Sequence, residues 1–421
     1  MAQLERLIRR LAEQAREASI VLSRTSTAVK NRALLAMAKS LEKGEREILH
    51  ANARDLAAAK KQGMSDALTD RLILSPKRID EMAQGLRQVA TLADPVGQVI
   101  GRWTGAQGLK IAKVRVPIGV IGIIYEARPN VTADCAGLCI KAGNSVILRG
   151  GSEAIRSNRA IVQRLVKAAL RAGLPRAAVT FVETTDRRAV DLLLTQVGRV
   201  DVVIPRGGEG LIRQVVAKAK VPVIKQYKGI CHTFVDEGAD VKMAQEICYN
   251  AKVQRPGVCN AMETLLVHRK VAPTFLPAMA RGYLQAGVEL RGDAQTRRIL
   301  KGYPVKPAVE KDWGTEYLDL ILSVKVVGSL REAIQHIQRY GSGHSDAIVT
   351  RSKTHAEEFL KRVDSACVYV NASTRFTDGG QFGLGAEIGI STDKIHARGP
   401  MGLTELTTYK YVVTGHGQVR K

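Results

Sequence analysis

IGVIGIIYEARPNVTADCAGLCIKAGNSVILRGG, residues 118–151, consists of an apolar β-branched run, an amphipathic stretch and a second apolar run. Short apolar runs on either side of a helical pattern are typical of buried parallel strands that are joined by a crossover helix. The alternation continues along the chain, with strands predicted at 118–125, 145–148, 179–182, 200–204 and 222–224 and helices at 131–142, 153–172, 186–197 and 208–219. Five such strands predict an α/β fold with a doubly wound parallel sheet.

The segments before and after this sheet differ from it in pattern. Helices alone are predicted for residues 3–93, where apolar residues recur at three and four positions. A second α/β unit is predicted from strands at 233–235, 263–267, 320–327 and 367–371 and a helix at 274–286. These patterns predict three parts, a doubly wound domain at 1–232, a second α/β domain at 233–371, and a return loop with a final strand at 372–421.

Two extended segments, 110–116 and 404–414, are predicted to form a small β flap. A projecting strand presents unpaired backbone groups at its edge, and such an edge can pair with a strand of another subunit. The flap near residues 108–116 therefore predicts a homo-oligomer, either a dimer or a tetramer.

The composition is strongly basic, with 64 Lys and Arg against 40 Asp and Glu and a formal net charge of +24. Such a surface attracts nucleic acid or phosphorylated metabolites. The basic residues form no long block, aromatic residues are only 4%, and no zinc-finger or RNP motif occurs, so no nucleic-acid partner is predicted. No apolar run approaches the roughly 18 residues of a spanning helix, so we expect a cytoplasmic protein without a membrane partner. Six cysteines without a C-x-x-C pair predict neither disulfides nor a metal site.

Cys259 lies in NAKVQRPGVCNAMETLLVH, residues 250–268. A Pro-Gly turn precedes it and an apolar run follows it, which predicts a loop between an amphipathic helix and a strand. Lys252 and Arg255 lie near it in sequence and favour the thiolate, the form that attacks electrophiles. The loop suits a catalytic nucleophile, although a thiol that is simply buried or simply exposed would have the same local sequence.

Two glycine-containing turns follow predicted strands and precede predicted helices. They contain Arg149, Ser152 and Glu153 in the first turn and Arg206, Gly207 and Gly208 in the second. Free backbone N–H groups at a helix N-terminus favour anions, so the pair of turns predicts a dinucleotide site; either turn alone also fits a tight turn beside a surface arginine. No G-x-G-x-x-G, P-loop, G-x-S-x-G or H-E-x-x-H motif occurs, which removes the main support for the enzyme classes that carry them.

Three blocks of the chain resemble the γ-glutamyl phosphate reductases, also called glutamate-5-semialdehyde dehydrogenases, of the aldehyde dehydrogenase superfamily. The blocks are residues 116–154, QRPGVCNAMETLL at 254–266 and VGSLREAIQHIQRYGSGHSDAI at 327–348, and the likeness extends to the TELTTYKYV tail. The resemblance implies an aldehyde-dehydrogenase-like fold and a step of proline biosynthesis, the NADPH-dependent reduction of L-glutamyl 5-phosphate to L-glutamate 5-semialdehyde with release of phosphate. A separate glutamate 5-kinase would then supply the acyl phosphate, and whether the two enzymes make a transient contact stays open.

The resemblance also implies roles for single residues. Cys259 corresponds to the nucleophile that forms a thioester with the acyl group. The oxyanion donors are expected to be the Cys259 backbone N–H together with Asn130 or Asn260. The register against general aldehyde dehydrogenases, however, places Glu126 opposite their oxyanion-hole asparagine.

Substrate contacts are expected from charged residues near the nucleophile loop and in the return loop. Lys225 stands where hydrolytic aldehyde dehydrogenases carry a glutamate base; a protonated lysine cannot activate water, but it can hold phosphate. Lys225 or Arg255 is therefore expected to bind the leaving phosphate, and Arg375 and Asp378 to bind the glutamyl carboxylate and amine. A hydrolytic NAD(P)-dependent aldehyde dehydrogenase is the alternative function.

The cofactor that the resemblance implies is NADPH or NADP, without a metal. Residues 1–232 are then expected to be the cofactor domain, and residues 233–371 the catalytic domain that carries Cys259. Arg149, Ser152 and Glu153 are expected near the adenosine ribose, and Arg149 would pair with a 2′-phosphate. The turn with Arg206, Gly207 and Gly208 is expected near the pyrophosphate. Glu316 corresponds to the glutamate that holds the nicotinamide ribose.

Overall fold

The computed structural model describes residues 2–64 and 66–420, which form two compact units. The first unit contains the residues up to Lys225, Gly383–Gly389 and the segment from Met401 onward, and the second contains Gln226–Phe382 and Ile390–Pro400. The boundary after Lys225 precedes the expected one at 232 because the residues that lead into the second unit already bond within it. Residues 372–421 are shared between both units and do not form a part of their own.

The elements of the first unit follow the predicted order. In chain order they are α1 (Ala2–Leu22), α2 (Thr27–Lys43), α3 (Glu45–Lys61), α4 (Asp66–Leu72), α5 (Pro76–Thr91), β1 (Val99–Thr104), β2 (Lys110–Pro117), β3 (Val120–Tyr125), α6 (Asn130–Lys141), β4 (Ser145–Gly150), α7 (Ile155–Arg171), β5 (Val179–Phe181), α8 (Arg188–Leu193), β6 (Val202–Arg206) and α9 (Glu209–Lys218). The helical prediction for residues 3–93 is confirmed.

Strands β3 to β6 form a parallel sheet in the order β5-β4-β3-β6, covered on both faces as predicted. Val120 and Ile124 belong to an apolar cluster with α1, α8 and α9. Tyr125 points to the opposite face, where its hydroxyl lies 2.6 Å from that of Thr132 in α6. The strand order reverses between β3 and β6, and the carboxyl ends of two such strands flank the crevice in which doubly wound sheets bind ligands.

The strand predicted at 222–224 is wrong, since only an isolated bridge between Val203 and Val223 forms there. Pro222 accepts a hydrogen bond from Val203 but has no N–H with which to continue a ladder. The sheet therefore has four strands where five were expected.

The second unit is also an α/β unit. In chain order it contains β7 (Cys231–Val235), α10 (Val241–Val253), β8 (Met262–His268), α11 (Ala272–Gln285), β9 (Glu289–Gly292), α12 (Ala294–Ile299), β10 (Val305–Pro307), α13 (Glu310–Trp313), β11 (Ile321–Val327), α14 (Leu330–Tyr340), β12 (Ser345–Val349), α15 (Lys353–Arg362), β13 (Cys367–Val370) and the short pair β14 (Ile390–Ser391) and β15 (Gly399–Pro400). The predicted strands and helix of this unit are confirmed, and the strands β9, β10, β12, β14 and β15 are additional.

Seven strands of the second unit form one parallel sheet in the order β10-β9-β11-β8-β7-β12-β13. Alternate residues of β8 point to opposite faces: Leu265 packs with α10 and α11, whereas Leu266 packs with α14 and α15. Strands β7 and β8 are parallel neighbours, so the segments that precede them meet at the same edge of the sheet.

The flap is a three-stranded antiparallel sheet of β1, β2 and a final strand β16 (Thr407–Thr414), in the order β1-β2-β16. The extended segments predicted at 110–116 and 404–414 are confirmed, apart from a 3₁₀ turn at Thr404–Leu406. Trp103 and Tyr411 are exposed on it and pack edge to face, with ring centroids 5.9 Å apart. Within the described residues, none of the helices is both long enough and apolar enough to cross a bilayer.

Candidate active site

The nucleophile loop, residues 254–261, connects α10 to β8, as the sequence predicts, and Cys259 is half-buried in it. The carbonyl oxygen of Cys259 accepts a hydrogen bond from the thiol of Cys231 at 3.2 Å. Gly229 packs against the same peptide so closely that a Cβ atom there would lie 1.9 Å from that oxygen. The segment from Gly229 to Cys231, at the start of β7, therefore packs against the backbone of Cys259.

The other five cysteines of the chain are buried. Burial raises the pKa of the Cys231 thiol well above its usual range, and it raises the pKa of Cys135 to about 12. A buried, protonated thiol is a poor nucleophile. Cys259 is therefore the best candidate nucleophile among the six cysteines.

The side chain of Asn260 is buried and points into the return loop. Its amide nitrogen donates to the carbonyl oxygen of Thr377 at 2.9 Å and to that of Arg375 at 3.3 Å, and its amide oxygen accepts from the Arg375 guanidinium. Both amide hydrogens are thereby engaged. This corrects the expectation that Asn260 donates to an oxyanion, because the residue joins the nucleophile loop to the return loop.

Arg375 lies in a cluster of charged groups that includes the nucleophile. Its Nε donates to Gln254 at 2.9 Å. Burial lowers the pKa of Arg375, the neighbouring Arg255 guanidinium lowers it further, and Cys259 and Asp378 act in the opposite sense. Two guanidinium groups close to a thiol form a region suited to a doubly charged anion such as phosphate.

Asp378 has a local role in the return loop. Its Oδ1 accepts hydrogen bonds from the backbone N–H groups of Gly380 and Gln381 at 2.9 and 3.2 Å. These bonds close an Asx-type turn. The structure therefore explains the position of this exposed carboxylate without a ligand, and its predicted contact with the substrate amine stays a prediction.

Glu316 is half-buried, and its Oε1 accepts the backbone N–H of Gly229 at 2.8 Å. Gly229 in turn packs on the Cys259 peptide, so Gly229 lies between the Glu316 carboxylate and the backbone of the nucleophile. The sequence places Glu316 and Cys259 57 positions apart, and the structure brings their segments together in one unit.

Lys252 was expected to favour the Cys259 thiolate, and the structure corrects this. The Lys252 side chain is fully buried and forms an ion pair with Glu263, with Nζ 2.7 Å from Oε2. Its charge is thus compensated within the core of the second unit. Arg255, which lies in the loop itself, is exposed.

In the first unit, the turn after β6 holds a carboxylate of the chain itself. Oε2 of Glu126 accepts the backbone N–H of Gly208 at 2.9 Å, and a Cβ atom on Gly207 would lie 2.3 Å from that oxygen. Gly208 is the N-cap of α9, and Arg206 ends β6. The backbone of this turn already binds an anion, as a pyrophosphate site requires, so the residues present fit the predicted cofactor group.

The turn after β4 is also arranged around a carboxylate. Oε1 of Glu153 accepts the backbone N–H of Ala127 at 2.6 Å and lies against Gly151. Arg149 is buried and donates to the carbonyl oxygen of Gly150, whereas its Nε has no hydrogen-bond partner among the described residues. Burial lowers the pKa of Arg149, the neighbouring Glu153 carboxylate acts in the opposite sense, and Arg187 lowers the pKa further. Two neighbouring guanidinium groups, those of Arg149 and Arg187, fit an anionic group such as a 2′-phosphate.

Three further candidates lie in the first unit. Asn130 begins α6, and its amide donates to Asp134, one helical turn later, at 3.2 Å. Ser152 is exposed at the start of a 3₁₀ turn. Lys225 is half-buried at the end of the unit, directly after the bridge to β6. Their predicted roles stay predictions.

The sequence predicted the residues that are expected to react, but it did not predict the residues that position them. Gly229 and Cys231 lie outside the blocks that carry the resemblance, and their importance, like that of Glu263, becomes visible from contacts with the nucleophile loop or its flanking elements. One signal was available for Glu263: a carboxylate within an apolar run predicts a buried partner. Within residues 2–64 and 66–420, His, Cys, Asp and Glu residues form no group of three or more that is placed to bind a metal ion.

Comparisons with known proteins agree with this arrangement. Residues 3–299 match the aldehyde dehydrogenase family. The γ-glutamyl phosphate reductase of Moorella thermoacetica is 60% identical to this chain, and the match covers 97% of each of the two chains. The γ-glutamyl phosphate reductase of Thermodesulfovibrio yellowstonii is 54% identical, and the match covers 100% of both chains.

Solved structures give the same result. The crystal structure of γ-glutamyl phosphate reductase from Thermotoga maritima is 51% identical, with a TM-score of 0.96 over 98% of this chain and 100% of that one. An acetylating aldehyde dehydrogenase from Geobacillus thermoglucosidasius, 16% identical with a TM-score of 0.72 over 100% and 99% of the two chains, shares the fold. The predicted aldehyde-dehydrogenase-like α/β fold is confirmed. The chain belongs to the aldehyde dehydrogenase family and, within it, to the γ-glutamyl phosphate reductases, which makes it an oxidoreductase.

Proposed function

We propose that the protein catalyses the NADPH-dependent reduction of L-glutamyl 5-phosphate to L-glutamate 5-semialdehyde and phosphate through a thioester on Cys259. The observation that carries the proposal is the nucleophile loop, in which a half-buried thiol lies beside Arg255 and Arg375 while its peptide is held by Gly229 and Cys231. The names of the relatives support the same substrate and reaction.

Cys259 attacks the carbonyl carbon of the acyl phosphate as a thiolate. A bond forms between sulfur and carbon, the bond between carbon and the phosphate oxygen breaks, and inorganic phosphate leaves with the electron pair. The oxyanion that develops during this step needs a fixed donor. We propose the backbone N–H of Cys259 for that role, with Asn130 as the second candidate, because the amide of Asn260 is engaged by the return loop.

Arg255 and Arg375 are proposed to hold the anionic groups of the substrate. Arg375 is fixed by Gln254 and Asn260, so its guanidinium is oriented before the substrate arrives, whereas Arg255 is exposed to solvent. We assign the leaving phosphate to Arg255 or Lys225, and the glutamyl carboxylate to Arg375. Asp378 is proposed to face the glutamyl amine. A lysine at 225 also leaves this position without a base that could activate water.

The cofactor is proposed to be NADPH. Gly207 and Gly208 would hold the pyrophosphate, Arg149 the 2′-phosphate, and Ser152 and Glu153 the adenosine ribose, while Arg206 adds positive charge. Glu316 would hold the nicotinamide ribose. When bound, the cofactor supplies the hydride that converts the thioester to the aldehyde, and Cys259 returns to the thiolate.

The remaining partners are proposals of the same kind. The exposed flap is proposed to join subunits into a homo-oligomer. A cytoplasmic location and a transient contact with a separate glutamate 5-kinase are predictions from the family and the sequence.

An assay in the oxidative direction tests the proposed reaction. NADP reduction with glutamate 5-semialdehyde is measured with and without inorganic phosphate, and we expect sustained turnover only with phosphate. Arg255→Gln should raise the KM for phosphate roughly 10- to 100-fold, the loss expected for a hydrogen bond to a charged group. Arg339→Gln is the control, because Arg339 is exposed on α14 and pairs with Glu310. Equal turnover without phosphate would contradict the proposal and identify a hydrolytic aldehyde dehydrogenase.

A further inference from the structure

The Lys252–Glu263 ion pair flanks the nucleophile loop on both sides. Lys252 lies in the last turn of α10, and Glu263 is the second residue of β8, so the pair joins the two ends of the loop that carries Cys259. Both side chains have no exposed surface, and Nζ lies 2.7 Å from Oε2. Arg255, Arg375 and Glu316 are all at least partly exposed, so among the described charged residues around the loop these two alone are shielded from solvent.

A fully buried ion pair is a poor way to stabilise a fold. Removing two charges from water costs about as much as their attraction returns, and apolar residues of similar size often give equal or greater stability. Burial raises the pKa of Glu263 to about 7 and lowers the pKa of Lys252, which shows that desolvation acts on both groups. Stability alone therefore gives no reason for this pair at this place, whereas geometric specificity does.

The second oxygen of Glu263 extends the connection beyond the loop. Oε1 accepts the backbone N–H of Leu318 at 3.1 Å. Leu318 has a φ of 54°, a left-handed conformation that is unfavourable for a residue with a Cβ and persists only where surrounding contacts enforce it. Leu318 follows Glu316 by two positions, so this hydrogen bond fixes the turn that presents Glu316.

Glu316 completes a closed set of contacts. It accepts the N–H of Gly229 at 2.8 Å, and Gly229 packs on the carbonyl oxygen of Cys259. Glu263 is therefore connected to Cys259 in two ways. The first is along the backbone, from β8 into the nucleophile loop. The second is the series of contacts from Glu263 to Leu318, from the Leu318 turn to Glu316, and from Glu316 through Gly229 to Cys259. One carboxylate thus ties together the candidate nucleophile and the candidate ribose ligand.

We propose that Lys252 and Glu263 are positioning residues that set the nucleophile loop and the Glu316 turn in register with each other. The inference rests on the proposed function in that Cys259 and Glu316 are taken as its active residues. Neither Lys252 nor Glu263 touches the substrate, and both act through the backbone segments that they hold.

Two double variants separate the charge pair from the hydrogen bond to Leu318. K252M/E263Q removes both charges but keeps an amide oxygen that can accept from the Leu318 N–H. K252M/E263L removes that acceptor as well. The matched control is K30M/D94N, which removes the ion pair of the buried Lys30 and the partly buried Asp94 in the first unit, where the nitrogen and oxygen lie 2.5 Å apart.

Three quantities are measured for each variant: the melting temperature, the kcat and KM of phosphate-dependent NADP reduction, and the rate at which iodoacetamide alkylates Cys259. For K252M/E263L we expect kcat to fall roughly 100-fold, the effect of a misplacement of about 1 Å, together with a changed alkylation rate. K252M/E263Q should lose less than about tenfold in kcat. K30M/D94N should lower the melting temperature while both kinetic readouts stay at wild-type values.

A purely structural pair would give a different pattern. If K252M/E263L resembles K30M/D94N, with a lower melting temperature but wild-type kcat and alkylation, the inference is overturned. If K252M/E263L does not fold, Glu263→Asp replaces it, since this change keeps both charges and shortens the reach of the carboxylate; an unchanged kcat would likewise overturn the inference. The alkylation rate needs neither substrate nor cofactor, so it decides this inference even if phosphate-dependent activity is absent and the proposed function fails.

Discussion

Gly229→Ala is a single substitution that is expected to displace the backbone of Cys259. A Cβ atom at position 229 would lie 1.9 Å from the carbonyl oxygen of Cys259 and 2.5 Å from its carbonyl carbon and its Cα. All three atoms belong to the backbone, so rotation of a side chain cannot relieve the clash. Contacts of Cβ atoms essentially never fall below 3.0 Å, and the nucleophile loop must therefore move away from β7 by about 1 Å.

The size of the effect follows from that displacement. A misplacement of about 1 Å in a reacting group costs roughly 100-fold in rate, or about 2.7 kcal/mol of barrier. Gly229 also donates to Glu316, so the shift reaches the candidate ribose ligand and is expected to raise the KM for the cofactor as well. The apolar clusters on the two faces of the sheet are not touched, and the protein is expected to stay folded.

The assay compares kcat/KM for phosphate-dependent NADP reduction and the rate of Cys259 alkylation in Gly229→Ala and Gly238→Ala. Gly238 is the matched control because a Cβ atom there meets nothing within 4 Å and its φ is not in the left-handed region. Circular dichroism and the melting temperature establish that both variants are folded. Wild-type kcat/KM in a folded Gly229→Ala protein would refute the proposed packing beneath the nucleophile.

Three further predictions concern other parts of the molecule. Burial lowers the pKa of His336 to about 2, so on acidification the unfolded state takes up a proton near pH 6.5 that the folded state does not. The free energy of unfolding should therefore decrease below pH 6.5, by about 2 kcal/mol at pH 5. Melting curves of His336→Leu should lose that pH dependence. Tyr411→Lys places a charge on the exposed flap and should reduce the oligomer to a smaller species in light scattering, whereas an unchanged mass would exclude this face as the subunit interface. Gly207→Ala should raise the KM for NADP about tenfold with little change in kcat, because its Cβ would displace Glu126 from the turn, while Gly210→Ala, with nothing within 4 Å, should not.

The order of elements was predictable because periodicity is a local property of the chain. The apolar runs of β3, β4 and β8 and the helical pattern of residues 3–93 lie where the sequence places them. Pro222 shows the limit: its segment has an apolar β-branched composition, but the missing N–H leaves one bridge in place of a strand. Strand β1 was not predicted, since an exposed flap strand lacks the buried alternation that reveals the others.

The candidate site was predictable as a set of chain positions but not as a set of contacts. The loop with Cys259 and the glycine turn at Gly207 follow from local sequence, and both are found. The direction of a side chain depends on residues far away in sequence. Asn260 forms a hydrogen bond with Thr377, and Glu126 forms one with Gly208. No local sequence pattern predicts either pairing.

Lys252 shows the same limit for charge. Its closeness to Cys259 in sequence suggested an electrostatic effect on the thiolate, yet the helical geometry of α10 turns the side chain into the core towards Glu263. A distance along the chain does not determine which partner satisfies a charge, because the pairing is set by tertiary packing.

The central claim, a thioester on Cys259 that phosphate rather than water releases, is tested most directly by pre-steady-state kinetics. The enzyme is mixed with glutamate 5-semialdehyde and NADP in phosphate-free buffer, NADPH formation is followed, and phosphate is then added. The account predicts a burst of about one NADPH per active site, a slow rate until phosphate is added, and sustained turnover afterwards, with no burst and no turnover in Cys259→Ser. A burst that survives in Cys259→Ser, or steady turnover of the wild-type enzyme without phosphate, would contradict it.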